Sequence, residues 1–368
     1  MAAATFAFPT SILYGPGTVG ELRDRLASLG AVRPLVVTDS GLVKTKAFGY
    51  ALAAIGEDVA VFSGIQSNPT EDQAEAAACV FAEQHCNSVI GLGGGSAIDV
   101  AKVIRLRIKR PDWTLRQPVP SDAVGRLAPF IAIPTTAGTG SEVGRSSVIT
   151  IDGRKRVIFH PALLANLVIL DPELTVDLPA NLTAATGADA LTHCIESFTS
   201  PAFHPLCDGI ALEGIHLIAQ SLRRAVEQPD DLDARGKMLV AATMGGIAFQ
   251  KDLGAAHSLA HPLSALCGLH HGLANAMVLP AVMKFNAARK SGVYARVAQA
   301  MGVEADRAIE AVQSLLCDIG LTPGLQAHGV KESQLDELAD QALEDSCHQT
   351  NPVPVTRADL YALYREAM

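Results

Sequence analysis

The sequence predicts an α/β domain built on a parallel sheet over residues 1–179, followed by an all-helical domain over 180–368. Three observations carry that reading. At 368 residues the chain exceeds what one hydrophobic core usually serves, so two domains are the natural division. In its first half, short β-branched apolar runs alternate with helical patterns, as parallel strands joined by crossover helices require. After about Pro179 the strand signals stop, and Ala, Leu, Glu and Arg follow at helical spacing. The cleft between two such domains is the expected ligand site.

Taken in order, PLVVTD (34–39), DVAVFSG (58–64), SVIGLGGGS (88–96), PFIAIPTT (129–136) and LVILDP (167–172) are near-continuous apolar runs that end in turn residues, and they read as buried strands. Helical patterns such as EDQAEAAACVFAEQH lie between the earlier ones. Beyond 180, TAATGADALTHCIESFTS, GIALEGIHLIAQSLRRAVEQ and ARGKMLVAATMGGIAF read as helices. No internal repeat or low-complexity tract is present.

Hydrophobic residues make up 49% of the chain and charged residues 18%, as in an ordinary globular protein with a large core. A formal charge of −9 and the lack of any Lys/Arg-rich run argue against nucleic-acid or anionic-membrane partners, which leaves small molecules. The start, MAAATFAFPTSILYGPG, has no basic segment and is broken by Pro9 and Pro16, so it does not read as a signal peptide. The apolar run ALLANLVIL is too short to span a bilayer. Seven scattered cysteines suggest free thiols in a reducing compartment, and the expected location is the cytoplasm.

GLGGGSAIDVAK follows a predicted strand and opens a predicted helix, so the backbone amides of Gly93, Gly94, Gly95 and Ser96 stand at a helix N-terminus, an anion site. This departs from the usual dinucleotide fingerprint: Ser96 replaces the third glycine and no acid follows about twenty residues on. A tight strand-to-helix turn explains the glycines equally well. IPTTAGTGSE (133–142) adds flexible glycines with Thr135, Thr136, Thr139 and Ser141 as donors, and two such loops suit one pyrophosphate. Asp39, ending PLVVTD, either accepts hydrogen bonds from ribose hydroxyls, favouring NAD over NADP, or caps the helix beginning at Ser40.

HSLAHPLSALCGLHHG (257–272) holds four of the chain's eleven histidines in a nearly uncharged segment. His257 and His261 share a helix face, His271 follows ten residues later, and GADALTHCIE places Asp189 and His193 at the same i, i+4 spacing. One carboxylate with imidazoles suits Fe(II), Zn or a related divalent ion, and a single anionic ligand leaves the ion the positive charge of a Lewis acid. HSLAH lacks the glutamate of the H-E-x-x-H metallopeptidase pattern.

These segments resemble the iron-containing, or group III, alcohol dehydrogenases along essentially the whole chain, from FPTSILYGPGTVGEL through GLGGGSAIDVAK, PTTAGTGSEV, LDPELT, TGADALTHCIES and AFQKDLGAAHSLAHPL to HHGLANAMVLP and TNPVPVT. The resemblance implies a Rossmann-like nucleotide-binding domain of the dehydroquinate synthase-like fold, a helical domain, and hydride transfer between NAD and an alcohol carbon. It implies that Asp189, His193, His257 and His271 hold the metal, and that His261 is a non-ligand histidine near substrate and nicotinamide. It assigns Asp39, Asn68, Gly94, Gly95, Ser96, Asp99, Thr135, Thr136, Thr139 and Lys155 to the cofactor. A homodimer or larger homo-oligomer is also implied. Gly144, Asp252 and Ala165 depart from the family pattern, where Thr, Gly and Pro are usual.

His261 is expected to relay a proton, since imidazole is the side chain that ordinarily titrates near neutrality. Lys251, six residues before His257, either attracts a substrate carboxylate, as in 4-hydroxybutyrate, or is a solvated lysine or one paired with Asp252. The expected substrate is therefore a short-chain primary alcohol or aldehyde, with an ω-hydroxy acid as the second option. Two other classes compete. A metal- and NAD-dependent lyase or cyclase of the dehydroquinate synthase type needs more Lys and Arg around the metal helices than this chain supplies. A non-catalytic nucleotide-binding relative has no need of all four ligands.

Overall fold

The computed structural model describes residues 8, 10–56, 59–119 and 124–368. The segment MAAATFA and Pro9, read above for the lack of a signal pattern, lie outside the described residues, as does Asp58 of the second predicted strand. The described chain divides into two compact units, 10–136 with 140–178, and 179–368 with 137–139.

The first unit is built on a six-stranded, wholly parallel sheet of β1 (Ser11–Tyr14), β2 (Pro34–Asp39), β3 (Ala60–Ile65), β4 (Ser88–Gly93), β5 (Phe130–Pro134) and β8 (Leu167–Leu170), with a two-stranded antiparallel ladder of β6 (Ser146–Ile151) and β7 (Arg154–Phe159). The sheet order is β1-β8-β5-β4-β2-β3. The five apolar runs read from the sequence occupy β2, β3, β4, β5 and β8. β1 carries no buried-strand signal because it is an edge strand with mostly exposed side chains. β6 and β7 lack the signal for another reason: β6 buries only alternate residues and β7 buries one residue of six, so neither presents a continuous apolar run.

Helices α1 (Leu22–Ser28), α2 (Lys46–Ile55), α3 (Glu71–Glu83) and α4 (Gly95–Lys109) complete this unit. Leu22, Leu26, Ala47, Ala51 and Ile55 pack against Val36, Ile90, Leu92, Ile131, Ile133 and Ile169 of the sheet. Thr70 starts α3 with a reciprocal capping box to Gln73. The wholly buried Asp171 accepts the amides of Gly17, Val19 and Glu173, fixing the chain after β1 to the end of β8.

The second unit is helical: α5 (Ala180–Thr199), α6 (Pro205–Glu227), α7 (Leu232–Ala248), α8 (Ala255–Cys267), α9 (His271–Arg289), α10 (Ala295–Ala300), α11 (Ala308–Asp318), α12 (Leu335–Glu344) and α13 (Arg357–Ala367). Helix α5 is buried on nearly every side, against α6, α7 and α9. Glycines on those neighbours let the axes approach. A Cβ at Gly214 of α6 would lie 2.7 Å from Cys194 Sγ, one at Gly245 of α7 3.1 Å from His193 Cβ, and one at Gly272 of α9 only 2.1 Å from the Ala185 carbonyl oxygen. Among the described residues no helix is long and apolar enough to cross a membrane.

Candidate functional site

In the α/β unit the strand order places β2 and β4 side by side while their following connections diverge, the topological switch point where open parallel sheets bind ligands beyond the strands' C-terminal ends. Asp39 ends β2, and the glycine cluster ends β4 and starts α4. Asp39 Oδ1 accepts the Gly41 and Leu42 amides at 2.8 and 2.9 Å, so it caps the next turn. Its Oδ2 faces the glycine loop: a Cβ at Gly93 would stand 3.6 Å away.

Other proposed cofactor residues gather at the same edge. Ser96 donates to the Ser67 carbonyl at 2.8 Å, drawing in the loop that carries Asn68. Thr135 donates its amide to the Gly93 carbonyl at 3.0 Å, and Thr136 Oγ1 would lie 3.4 Å from a Cβ at Gly94. Lys155 lies opposite Thr150 in the β6–β7 ladder, and the Thr150 amide donates to the Pro69 carbonyl beside Asn68 at 2.7 Å. Thr139 belongs to the segment 137–139 that groups with the helical unit, so the second loop is divided between the units.

Asp99 is engaged by its own protein. Its Oδ1 accepts from Ser141 Oγ at 2.5 Å and pairs with Lys102 Nζ at 3.0 Å, while Oδ2 accepts the Val148 amide at 2.9 Å. Buried Lys102 also donates to Ser141 Oγ at 2.7 Å and to the Ser146 carbonyl. Together they anchor α4, and hence the glycine loop at its start, to the 141–148 segment.

In the helical unit, donor atoms of Asp189 and His193 from α5, His257 from α8 and His271 from α9 all lie within 4.8 Å of one another. Asp189, His193 and His257 are buried, and His271 is partly exposed. Nε2 of His271 and of His257 stand 3.5 and 3.9 Å from Asp189 Oδ1. His193 stacks on His257 with ring centroids 4.7 Å apart, and Phe249 meets His193 edge-on at 5.4 Å.

Glu196 sets this geometry, although the ligand pattern did not single it out. It lies seven residues after Asp189, on the same face of α5, and accepts from His257 Nδ1 at 2.6 Å. That bond holds the hydrogen on Nδ1 and leaves Nε2 as a lone-pair donor toward Asp189. Glu196 also accepts the Gly254 and Ala256 amides at 3.0 and 2.6 Å, capping α8 from another helix. Asn275, one turn after His271, donates to Asp189 Oδ1 at 2.7 Å and lies 3.2 and 3.4 Å from Nε2 of His257 and His271; its own Oδ1 is buried without a hydrogen-bond partner.

The electrostatics favour positive charge here. Burial alone would raise the Asp189 carboxyl, but the three imidazoles and the Asn275 amide outweigh it and hold the group ionised well below the usual carboxylate range. Burial pushes His193 down to about 4, against the pull of Asp189, so it is a neutral donor at ordinary pH. For His257 burial is overcome by the bond to Glu196 and the fields of Glu196, Asp189 and Asp345, and the net direction is upward. One carboxylate and three imidazoles able to present lone pairs fit a divalent cation, and leave the whole with one net positive charge.

His261 is not among the four. Its Nδ1 is 2.7 Å from Asp345 Oδ2, and its ring stacks on His271 at 5.3 Å. Asp345 also accepts Ser258 Oγ and the Cys347 amide at 2.8 and 2.9 Å. His270 stands at the N-cap position of α9.

Lys251 corrects the sequence reading. It is only 3% exposed, and its Nζ lies 2.5 Å from Asp208 Oδ1 and 3.2 Å from the Phe198 carbonyl. It is spent on Asp208, not on Asp252 and not on solvent, and is not free to take a substrate carboxylate.

Comparison with known proteins identifies the family. The family description "Iron-containing alcohol dehydrogenase" matches residues 9–172, and "Fe-containing alcohol dehydrogenase family, C-terminal" matches 183–368. The chain is 42% identical over 369 residues to a 4-hydroxybutyrate dehydrogenase of Cupriavidus necator, covering 96% of each protein. It is 34% identical to an NAD-dependent methanol dehydrogenase of Bacillus methanolicus, covering 99% of each. The solved alcohol dehydrogenase from Oenococcus oeni superimposes with a TM-score of 0.94 at 32% identity, covering 100% of both chains. The chain belongs to the iron-containing alcohol dehydrogenase family and is an NAD-linked oxidoreductase that interconverts alcohols and aldehydes.

Proposed function

We propose that this enzyme interconverts a short-chain primary alcohol, 4-hydroxybutyrate in particular, and its aldehyde, with Fe(II) as the resident metal and NAD in preference to NADP. The convergence of Asp189, His193, His257 and His271 supports a divalent metal, the family description supports iron as that metal, and the Cupriavidus necator relative supports the hydroxy acid. With Lys251 committed to Asp208, carboxylate recognition rests with other residues.

Asp189, His193, His257 and His271 would hold a divalent cation, which when bound would supply Lewis acidity to the substrate oxygen. Asp189 provides the one negative charge among them, Glu196 keeps His257 in its donor tautomer, and Asp345 holds the hydrogen on His261 Nδ1 so that its other nitrogen exchanges a proton between the hydroxyl and solvent. At the nucleotide edge, Asp39 receives the ribose hydroxyls and repels a 2′-phosphate, and the amides of Gly94, Gly95 and Ser96 receive the pyrophosphate.

Elemental analysis of anaerobically purified protein, paired with steady-state kinetics, tests these roles. Asp189→Ala is expected to lose the metal. His261→Ala is expected to keep it while turnover falls by about 10²-fold or more; loss of metal from His261→Ala would overturn the division of labour. With 4-hydroxybutyrate and butan-1-ol as substrates, kcat/KM should favour the hydroxy acid by at least about tenfold, a difference of about 1.4 kcal/mol. Equal values would leave only the general alcohol activity.

A further inference from the structure

Beside the four-donor cluster lies a second group, of which the proposed reaction uses His261 and Asp345 for proton exchange and none as a metal donor. His261, Asp345 and Cys347 offer a nitrogen, an oxygen and a sulfur donor within 4.8 Å of one another. The His261 and Asp345 side chains are 28% and 21% accessible, so an ion from solvent reaches them first, with the more buried Cys347 thiol behind them.

We propose that His261, Asp345 and Cys347 form a second metal site, selective for a thiophilic divalent cation such as Zn²⁺ or Cd²⁺, whose filling inhibits the enzyme by withdrawing His261 from proton transfer. A tetrahedral zinc with these ligand types separates its donors by about 3.3–3.8 Å, so side-chain movements of about an ångström complete the site, with water as a fourth ligand. The turn that carries Asp345 and Cys347 is already fixed to α8, because Ser258 Oγ donates to Asp345 and accepts the His348 amide at 2.8 Å.

Burial raises the Cys347 thiol, and the carboxylates of Asp345, Glu196 and Asp252 raise it further. A divalent ion opposes that field. On binding, the thiol proton passes to solvent, the sulfur coordinates as thiolate, and the hydrogen of His261 moves from Nδ1 to Nε2 as the ion replaces it beside Asp345. A hard ion such as Mg²⁺ gains little from the sulfur, which sets the selectivity.

The test is a Cd²⁺ titration of the enzyme carrying its resident metal. Three signals are followed: the ultraviolet charge-transfer absorption of a cadmium–thiolate bond, release of the resident metal, and the aldehyde-dependent rate of NADH oxidation. One Cd²⁺ per chain should raise the absorption and lower the rate at least tenfold, with no metal released. Cys347→Ser should keep the uninhibited rate, lose the absorption, and need at least ten times more Cd²⁺ for inhibition. Should the serine variant not fold, Cys347→Ala serves the same comparison. No absorption in the parent enzyme, or absorption unchanged in the variant, as other cysteines such as Cys79 or Cys317 would give, overturns the site. Inhibition that tracks release of the resident metal overturns it as well. The inhibitory effect rests on the His261 role proposed above and the absorption does not, so a Cys347-dependent band without inhibition overturns that role and leaves the binding site standing.

Discussion

Glu196 acts on the site only through other groups, yet it joins two helices: one carboxylate receives both the His257 Nδ1 hydrogen and two amides at the start of α8. Glu196→Gln removes the charge and turns one acceptor into a donor facing donors. Metal affinity is expected to fall about 10–100-fold, read by competition with a chromophoric chelator. Unchanged affinity would mean that packing alone orients His257. Legibility at this scale follows sequence distance. The i, i+4 pair Asp189 and His193 was readable, and Glu196 extends the same stripe by three residues. Asp345 gave no sign, because it lies 84 positions from the histidine it orients and only the tertiary fold brings them together. Lys251 misled for the converse reason: closeness to His257 in sequence says nothing of the buried Asp208 that claims it.

At the scale of elements, the connection from α7 to α8 is fastened at nearly every residue, and one of them is strained. Asp252 has φ 64° and ψ −178°, a backbone region that is essentially glycine's own. Asp252→Gly should relieve about 1–3 kcal/mol of strain, offset by about 0.5–1 kcal/mol of added freedom in the unfolded chain. A net stabilisation is therefore expected in denaturant titration, and a loss of stability would show that the aspartate side chain makes up for its backbone. The strands were readable where both faces are buried, as in β4, β5 and β8. The alternating ladder of β6 and β7 and the exposed edge β1 fell below that signal.

Across the whole molecule, the proposed metal donors belong to one core and the proposed nucleotide residues, Thr139 apart, to the other. The four proposed metal donors come from α5, α8 and α9, while Asp39, the glycine loop and Asn68, proposed for the nucleotide, belong to the unit of the parallel sheet. Differential scanning calorimetry should therefore show chelation lowering the transition of the helical unit, and added NAD raising that of the α/β unit. A ligand at a hundred times its Kd contributes about 2.7 kcal/mol to the fold that binds it. A chelator that shifted every transition equally would defeat the assignment. The change from strand to helix patterns near Pro179 made this organisation readable, since each architecture imposes its own hydrophobic period. What no period reveals is the close packing at Gly272, where a single methyl group would meet both the Ala185 carbonyl and, at 3.1 Å, Asp189 Cβ. Position 272 thus tolerates one amino acid. In a saturation library selected for activity, every other codon there should vanish as completely as at the four donors, so a depletion map taken as a map of chemistry would count a fifth ligand at a residue with no side chain.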